Sequence, residues 1–325
     1  MLRWAILGTG FISNKMIEAI AASDGSKVAL IAGRNPEKLA ALQSKHTIAR
    51  VTTDYDAALS DPLIDAVYIG LPNHVHHTMT IKAATHGKAV LSEKSLTTTM
   101  LEADALMRAV RQHDIFFVEG FMYLAHPFMA RLLEILQDGR LGKLRSVTGH
   151  YCANIWQVVN PAGKGTLYNL GCYPASLLHL VVQTMCGEDA FARRQIKALG
   201  NRNSDGNISD TAAAIRFDNG VLANLFSTDS YGTAHSFVIQ GSNGTLSFRD
   251  NPWQPVPGDS TMIWQPFDGS PEEITVSDPN DAFYHQTKLV ENCVTHGRKQ
   301  AMRPSPRHSD SLEIMEFLTN WENAC

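Results

Sequence analysis

The chain has 325 residues, 44% hydrophobic and 18% charged, enough for more than one buried core and wrong for a disordered or collagen-like chain. Lys plus Arg number 28 against 32 Asp plus Glu, and the net charge of −4 gives no electrostatic case for nucleic acid or an anionic membrane surface. The five cysteines lack CxxC spacing and no run reaches about 18 uncharged apolar residues, which excludes a disulfide scaffold, a zinc module and a bilayer span, and points to a reduced, cytoplasmic chain.

Strand and helix signals alternate through the first part of the chain. Leu2 to Leu7 is a short apolar run ending at Gly8, as expected of a strand buried on both faces. The spacing predicts a helix over Ile12–Ala22, a strand over Lys27–Ala32, and a helix over Pro36–Lys45 with Pro in its first turn. Then come a strand at Ala66–Gly70, a helix at Val75–His86, a strand at Ala89–Ser92, a helix at Leu101–Gln112 and a strand at Ile115–Val118. Strands separated by helices imply parallel crossovers, hence a doubly wound α/β sheet of the Rossmann kind.

The pattern then changes. Tyr123–Gln137 and Leu167–Met185 read as helices, with a strand at Leu144–Cys152 between them. Strands follow at short intervals: Ile196–Gly200, Thr211–Phe217, Val221–Thr228, His235–Gln240 and Thr245–Arg249. Asp218-Asn219-Gly220 is a hairpin turn, and Gly241 to Gly244 looks like a second. Pro and Gly gather in 251–280, which reads as a long surface loop, before a last helix at Ala282–Thr295. Two domains are expected: 1–122, a dinucleotide-binding Rossmann domain, and 123–325, an α+β domain with a large, mainly antiparallel sheet for substrate and oligomer contacts.

The strongest local signal is Gly8-Thr9-Gly10-Phe11-Ile12-Ser13, which follows a strand and opens a helix. Gly8 makes the tight turn and Gly10 leaves room for a pyrophosphate, which the helix N-terminus attracts. At the end of the second strand, where a carboxylate would hold the ribose 2′-hydroxyl of NAD, stands Arg34. Its planar fork suits a 2′-phosphate, with Lys38 adding positive charge, so NADP is favoured and NAD is possible. Leu71-Pro72-Asn73-His74-Val75-His76 and Ser92-Glu93-Lys94-Ser95 end the next strands, and ligands of open parallel sheets sit beyond such ends. From its place alone, Lys94 is either a group that hydrogen-bonds a reacting oxygen or a solvated surface lysine. His74, His76 and His77 lack an accompanying Cys or carboxylate at ligand spacing, so no metal is expected. His76 is read as a group near the nicotinamide or as a helix cap.

The glycine fingerprint, Pro72-Asn73-x-x-His76, Glu93-Lys94, Glu119-Gly120-Phe121-Met122-Tyr123 and Gly163 to Pro174 occur in the order seen in one family. The chain resembles the Gfo/Idh/MocA oxidoreductases, named for glucose–fructose oxidoreductase and inositol dehydrogenase, and especially their dimeric dihydrodiol and sugar dehydrogenase branch. The resemblance implies that Lys94 is the catalytic lysine and Tyr173 the proton donor or acceptor. Asn169 stands where the family commonly has Asp, Ser95 replaces Pro, Leu124 replaces an Arg and Lys164 replaces a glycine. The departures at Leu124 and Lys164 are expected near the substrate. An Asn can hydrogen-bond but cannot take a proton, which leaves the proton to Tyr173 assisted by Lys94. The cofactor set is then Gly8, Thr9, Gly10, Phe11, Ile12, Arg34, Lys38, Leu71, Pro72, Asn73, His76, Glu93 and Lys94. Trp156 is a candidate wall for a sugar, and His179 is read as a packed or interface histidine.

The implied activity is hydride transfer between a nicotinamide and a carbinol or carbonyl carbon of a sugar, polyol or similar small hydroxy compound. The open face of the second domain's sheet is the expected surface of a homodimer. The rival reading is a nucleotide-binding regulator that keeps the fold without turnover.

Overall fold

The computed structural model describes residues 1–325. The chain forms two compact units, Met1–Met122 with Phe283–Leu312, and Tyr123–Ala282 with Glu313–Cys325. The segment 283–312 therefore belongs with the first unit and not, as a single cut after residue 122 would have it, with the second. Burial explains this. Val290, Cys293 and Ala301 lie in the same core as Trp4, Ile6 and Leu91.

In the first unit the strands are β1 (Leu2–Leu7), β2 (Ser26–Ala32), β3 (Val51–Thr52), β4 (Ala66–Ile69), β5 (Ala89–Glu93) and β6 (Phe117–Gly120). They form one parallel sheet in the order β3-β2-β1-β4-β5-β6. The helices are α1 (Phe11–Ala21), α2 (Pro36–His46), α3 (Tyr55–Ser60), α4 (His76–Thr85) and α5 (Met100–Gln112). Strands such as β4, buried at every position, are the continuous apolar runs that a sheet covered on both faces requires. The order reverses at β1, with β2 on one side and β4 on the other. This switch point opens a crevice beyond the carboxyl ends of those strands. β3 and α3 were invisible as sequence patterns, being two and six residues long.

The second unit holds α6 (Pro127–Gln137), β7 (Leu144–Ala153), α7 (Cys172–Cys186), β8 (Arg194–Arg202), β9 (Ile208–Phe217), β10 (Leu222–Thr228), β11 (Thr233–Gly241), β12 (Gly244–Phe248), β13 (Gly258–Pro266) and β14 (Glu272–Asp278). Its sheet runs β14-β13-β12-β11-β7-β10-β9-β8. All neighbours are antiparallel except β7 and β10, which run parallel with Thr228 opposite Cys152. The helix α8 (Ala282–Thr295) precedes α9 (His308–Ala324), whose residues from Glu313 onward belong to this unit.

Three expectations are corrected. Residues 251–280 are not a loop: β13 and β14 extend the sheet, and Trp253 is fully buried. The Gly and Pro residues there mark strand ends, with Gly258 opening β13 and Pro266 closing it. The helix expected over Tyr123–Gln137 is broken. A 3₁₀ turn spans Met122–Ala125, and α6 begins at Pro127, whose missing N–H and effect on the preceding residue favour a new N-terminus. His126 caps α6, its Nδ1 accepting from the Phe128 N–H at 3.2 Å. The helix expected over Leu167–Met185 opens on a π-helical turn, Leu167–Gly171, before α7.

Candidate functional site

β1 delivers the chain to Gly8, which has φ +121°, and a Cβ there would stand 2.6 Å from the Gly70 carbonyl oxygen. Only glycine fits that turn. A Cβ at Gly10 would meet nothing within 4 Å, so the space before α1 is open. Gly10 is the N-cap of α1, yet no side chain caps the helix and no acidic residue occupies its first turn. The helices α2, α3 and α5 differ: Asn35, Asp54 and Thr99 each accept from a first-turn amide. Ser13, in the first turn of α1, has a buried hydroxyl without a hydrogen-bond partner. Uncapped amides before an open cradle fit an anionic ligand, and a pyrophosphate is one.

Around this cradle, Thr9 presses on Gly33, where a Cβ would fall 2.5 Å from the threonine methyl. Phe11 is 77% exposed and Ile12 half-buried. Arg34 and Lys38 are exposed on the segment after β2. The Arg34 side chain hydrogen-bonds Tyr55, whose phenol is pushed up by burial and pulled back by that guanidinium.

Beyond β4, Leu71, Pro72 and Asn73 are half-buried. His76 is not an open ligand here. It is fully buried, its Nδ1 2.9 Å from the Ser95 carbonyl oxygen and its Nε2 2.7 Å from that of Leu71. Two carbonyls would suit an imidazolium, but burial outweighs them and pushes the ring down to about 4. The neutral ring has one N–H, so it donates to one carbonyl only. His76 is thus packed between the loops after β4 and β5, and both its nitrogens face carbonyls, which leaves none for a nicotinamide.

β5 ends in Glu93, followed by half-buried Lys94. The Tyr68 hydroxyl donates to Glu93 Oε1 at 2.7 Å. Burial pushes the Glu93 carboxyl up, opposed by Lys94 and by the Tyr68 bond. On the next strand Glu119 is also buried, which pushes it up to about 8 despite hydrogen bonds from Ser311 and the Leu96 backbone. Two buried carboxyls and one lysine therefore share the carboxyl ends of β5 and β6.

In the second unit Tyr173 is 6% exposed near the start of α7. Its ring lies 5.3 Å from Tyr151 edge-on, 5.9 Å from Tyr123 and 6.3 Å from Trp253. The Tyr123 hydroxyl meets Ser176 at 2.7 Å, and Ser176 Oγ donates to the Tyr173 carbonyl at 2.9 Å. Asn169 lies in the π-helical turn, a local irregularity frequent at functional sites. Its Nδ2 donates to Asp229 Oδ2 at 3.0 Å. Trp156 is 50% exposed, and its backbone N–H donates to the Asp229 carbonyl at 2.8 Å.

Lys164 pairs with Glu322 at 3.3 Å and lies over the Tyr168 ring. Leu124 is buried, and His179 is a packed residue, against Phe191 and bonded to Glu313 at 2.9 Å. Sequence reasoning missed Asp229, Tyr151 and Trp253.

Residues 2–121 match the model of an oxidoreductase family with an NAD-binding Rossmann fold, and residues 129–247 match the Gfo/Idh/MocA C-terminal domain. An uncharacterized oxidoreductase of Rhizobium meliloti is 31% identical over 270 residues, covering 81% of this chain and 78% of the relative. The scyllo-inositol 2-dehydrogenase (NADP(+)) of Bacillus subtilis is 25% identical, covering 97% of this chain and 95% of its own length. Among solved structures, the 3-ketoreductase of Actinomadura kijaniata in complex with NADP and TDP-benzene superposes with a TM-score of 0.84 at 22% identity, covering 99% and 97% of the two chains. The uncapped cradle at α1, Glu93-Lys94 at the end of β5 and the second sheet thus stand in a chain that both family models match in sequence order, and the chain belongs to the Gfo/Idh/MocA family of oxidoreductases with an NAD-binding Rossmann fold.

Proposed function

We propose that this oxidoreductase uses NADP(H) and acts on a carbinol or carbonyl carbon of a sugar, polyol or similar hydroxy compound. One observation carries the reading: the uncapped N-terminus of α1 lies at the switch point of the same sheet whose β5 ends in Glu93-Lys94. The names of the B. subtilis and A. kijaniata relatives support NADP and a hydroxyl or ketone substrate, and they favour an enzyme over a regulator.

When bound, the nicotinamide supplies or accepts the hydride. The rest falls to the protein. Gly8, Thr9, Gly10, Phe11 and Ile12 would seat the pyrophosphate, with amides of α1 as donors. Arg34, with Lys38 one turn on, would meet the 2′-phosphate. Leu71, Pro72, Asn73 and Glu93 would line the nicotinamide end, braced from behind by His76. By resemblance to the family, Lys94 would hydrogen-bond the reacting oxygen and Tyr173 would give or take its proton. Asn169, unable to take that proton, would hold a substrate hydroxyl.

The five free cysteines support a reducing compartment such as the cytoplasm. The outer face of the second sheet supports a homodimer. It exposes Leu199 at 82% and Leu222 at 51%, beside a depression lined by Ala212, Ala214 and Phe226. Leu199→Glu should then yield monomers in sedimentation velocity, whereas an unchanged species would remove this face from consideration.

The first test is titration with NADPH and NADH, followed by reduced-nicotinamide fluorescence. The second is NADP⁺ reduction in the presence of scyllo-inositol, D-xylose and D-glucose. Tighter NADPH than NADH binding and turnover of one of these substrates are expected. Binding of neither nucleotide would overturn the reading.

A further inference from the structure

Asp229 joins two features that the sequence presents as unrelated. Its side chain is 2% exposed. One carboxylate oxygen accepts from Asn169 Nδ2 at 3.0 Å, and the other accepts from the Ser230 hydroxyl at 3.2 Å. Its backbone carbonyl accepts from both the Ile155 and Trp156 N–H groups, at 2.9 and 2.8 Å. The Asn169 amide presents Nδ2 to Asp229, whose carboxyl is pushed up by burial and held down by the hydrogen bonds from Asn169 and Ser230. That contact fixes the direction of Oδ1 as well. The π-helical turn that carries Asn169 is itself tied to β10, where Thr166 Oγ1 meets Ser227 Oγ at 2.7 Å. Half-exposed Trp156 and Tyr231 flank this arrangement in sequence, two large rings at 50% and 49% exposure.

We propose that Asp229 is a positioning residue for substrate binding, fixing the Asn169 amide through its side chain and the Ile155–Trp156 turn through its backbone. The proposal rests on the reading that Asn169 faces substrate. A polyol or sugar suits the pair, because a preset carbonyl acceptor discriminates for a hydroxyl over a group that cannot donate. Asp229 itself passes no proton. Its role requires an acceptor at this position, not a charge, and that separates positioning from acid–base participation.

The test is steady-state kinetics with NADP⁺ and whichever of scyllo-inositol, D-xylose or D-glucose the wild type oxidises. Asp229→Ala should raise KM about tenfold with a smaller fall in kcat, as expected when one hydrogen bond to a charged group is lost. Asp229→Asn keeps an acceptor for Asn169 Nδ2 and should stay within about threefold of wild type. Asn169→Asp sets two carboxyls side by side and should be impaired, and the exchange Asn169→Asp with Asp229→Asn should restore most of the loss. NADPH affinity, read by fluorescence, should be unchanged in all four. Asp229→Asn as impaired as Asp229→Ala would mean that the charge is needed and would overturn the proposal, as would an exchange no better than Asn169→Asp alone. Failure of wild type to bind NADPH would sink the functional reading instead. The pair would then still be tested by a thermal-unfolding cycle of Asn169→Ala, Asp229→Ala and both, where additive losses would refute the coupling.

Discussion

The two units hold their chemical groups by different means. In the first, the strand-end loops are braced through the backbone: His76 spans the carbonyls of Leu71 and Ser95, and Gly8 turns against the carbonyl of Gly70. The titratable groups there are dry and displaced from their ordinary values. In the second, Tyr173 sits among the rings of Tyr123, Tyr151 and Trp253, and Asn169 is set by a carboxylate 60 residues away. Backbone bracing depends on a few residues at short spacing and leaves a motif. Side-chain bracing gathers residues from across the chain and leaves none.

The largest effect should come from breaking the aromatic set. Trp253 is fully buried and touches the rings of Tyr123, Tyr151, Tyr173 and Phe237. Trp253→Ala should cost about 3–5 kcal/mol and lower the melting temperature by roughly 10 °C. NADPH affinity well below the transition should not change. A melting temperature within a degree or two of wild type would mean that the rings are not what holds this region.

Next come the two residues assigned to the proton. Lys94→Ala or Tyr173→Phe should lower turnover by about 100-fold with little change in NADPH affinity, the usual size of general acid–base help. Wild-type rates in both variants would remove them from the mechanism.

A smaller effect tests the buried titratable groups of the first unit by pH. Glu119 has an ordinary value of 4.5 when exposed and about 8 when folded, so the native state holds its proton more tightly. Its contribution is complete below pH 4.5 and is lost as pH rises through about 8. His76 has the opposite sign: its folded value of about 4 lies below 6.5, so stability is lost as pH falls from 6.5 toward 4. Between pH 6.5 and 8 the histidine is neutral when folded and at most half protonated when unfolded, so the carboxyl dominates. Stability should fall by about 2 kcal/mol over that interval, and Glu119→Gln should flatten the fall. Melting curves at pH 6.5 and 8 decide it. An equal drop in the variant would place the titration elsewhere.

How much was legible follows from the same contrast. A doubly buried strand such as β4 is a continuous apolar run, and Gly8 was legible because its turn demands glycine. The alternating strands β7 to β12 were readable for a similar reason, one face being buried. β13 and β14 were not, because the Gly and Pro residues that bound them looked like loop content. The return of 283–312 to the first unit was illegible, since a helix signal does not say which core its apolar face will join. Asp229 was illegible because one aspartate after a strand looks like any turn residue until the parallel pairing of β7 and β10 brings the 155–156 turn and the Asn169 turn to it.

Arg34 tests the limit of motif reading within the more legible unit. It is exposed, and its side chain already has a partner in Tyr55, so its position alone is compatible with either nucleotide. If the guanidinium meets a 2′-phosphate, Arg34→Ala removes a charge-assisted pair that NADH never forms. NADPH affinity should then fall by about tenfold more than NADH affinity. If Arg34 only packs on the adenine ring, the loss is the same for both, because the adenine is shared. The phosphate contact is electrostatic and partly screened in an exposed site, so the NADPH preference should also shrink as salt rises, whereas a stacking contribution should not. Parallel fluorescence titrations of wild type and variant at low and high ionic strength separate the two cases. A preference that survives both the substitution and the salt would place the discrimination at another residue, with Lys38, one turn along α2 and also exposed, the next to change.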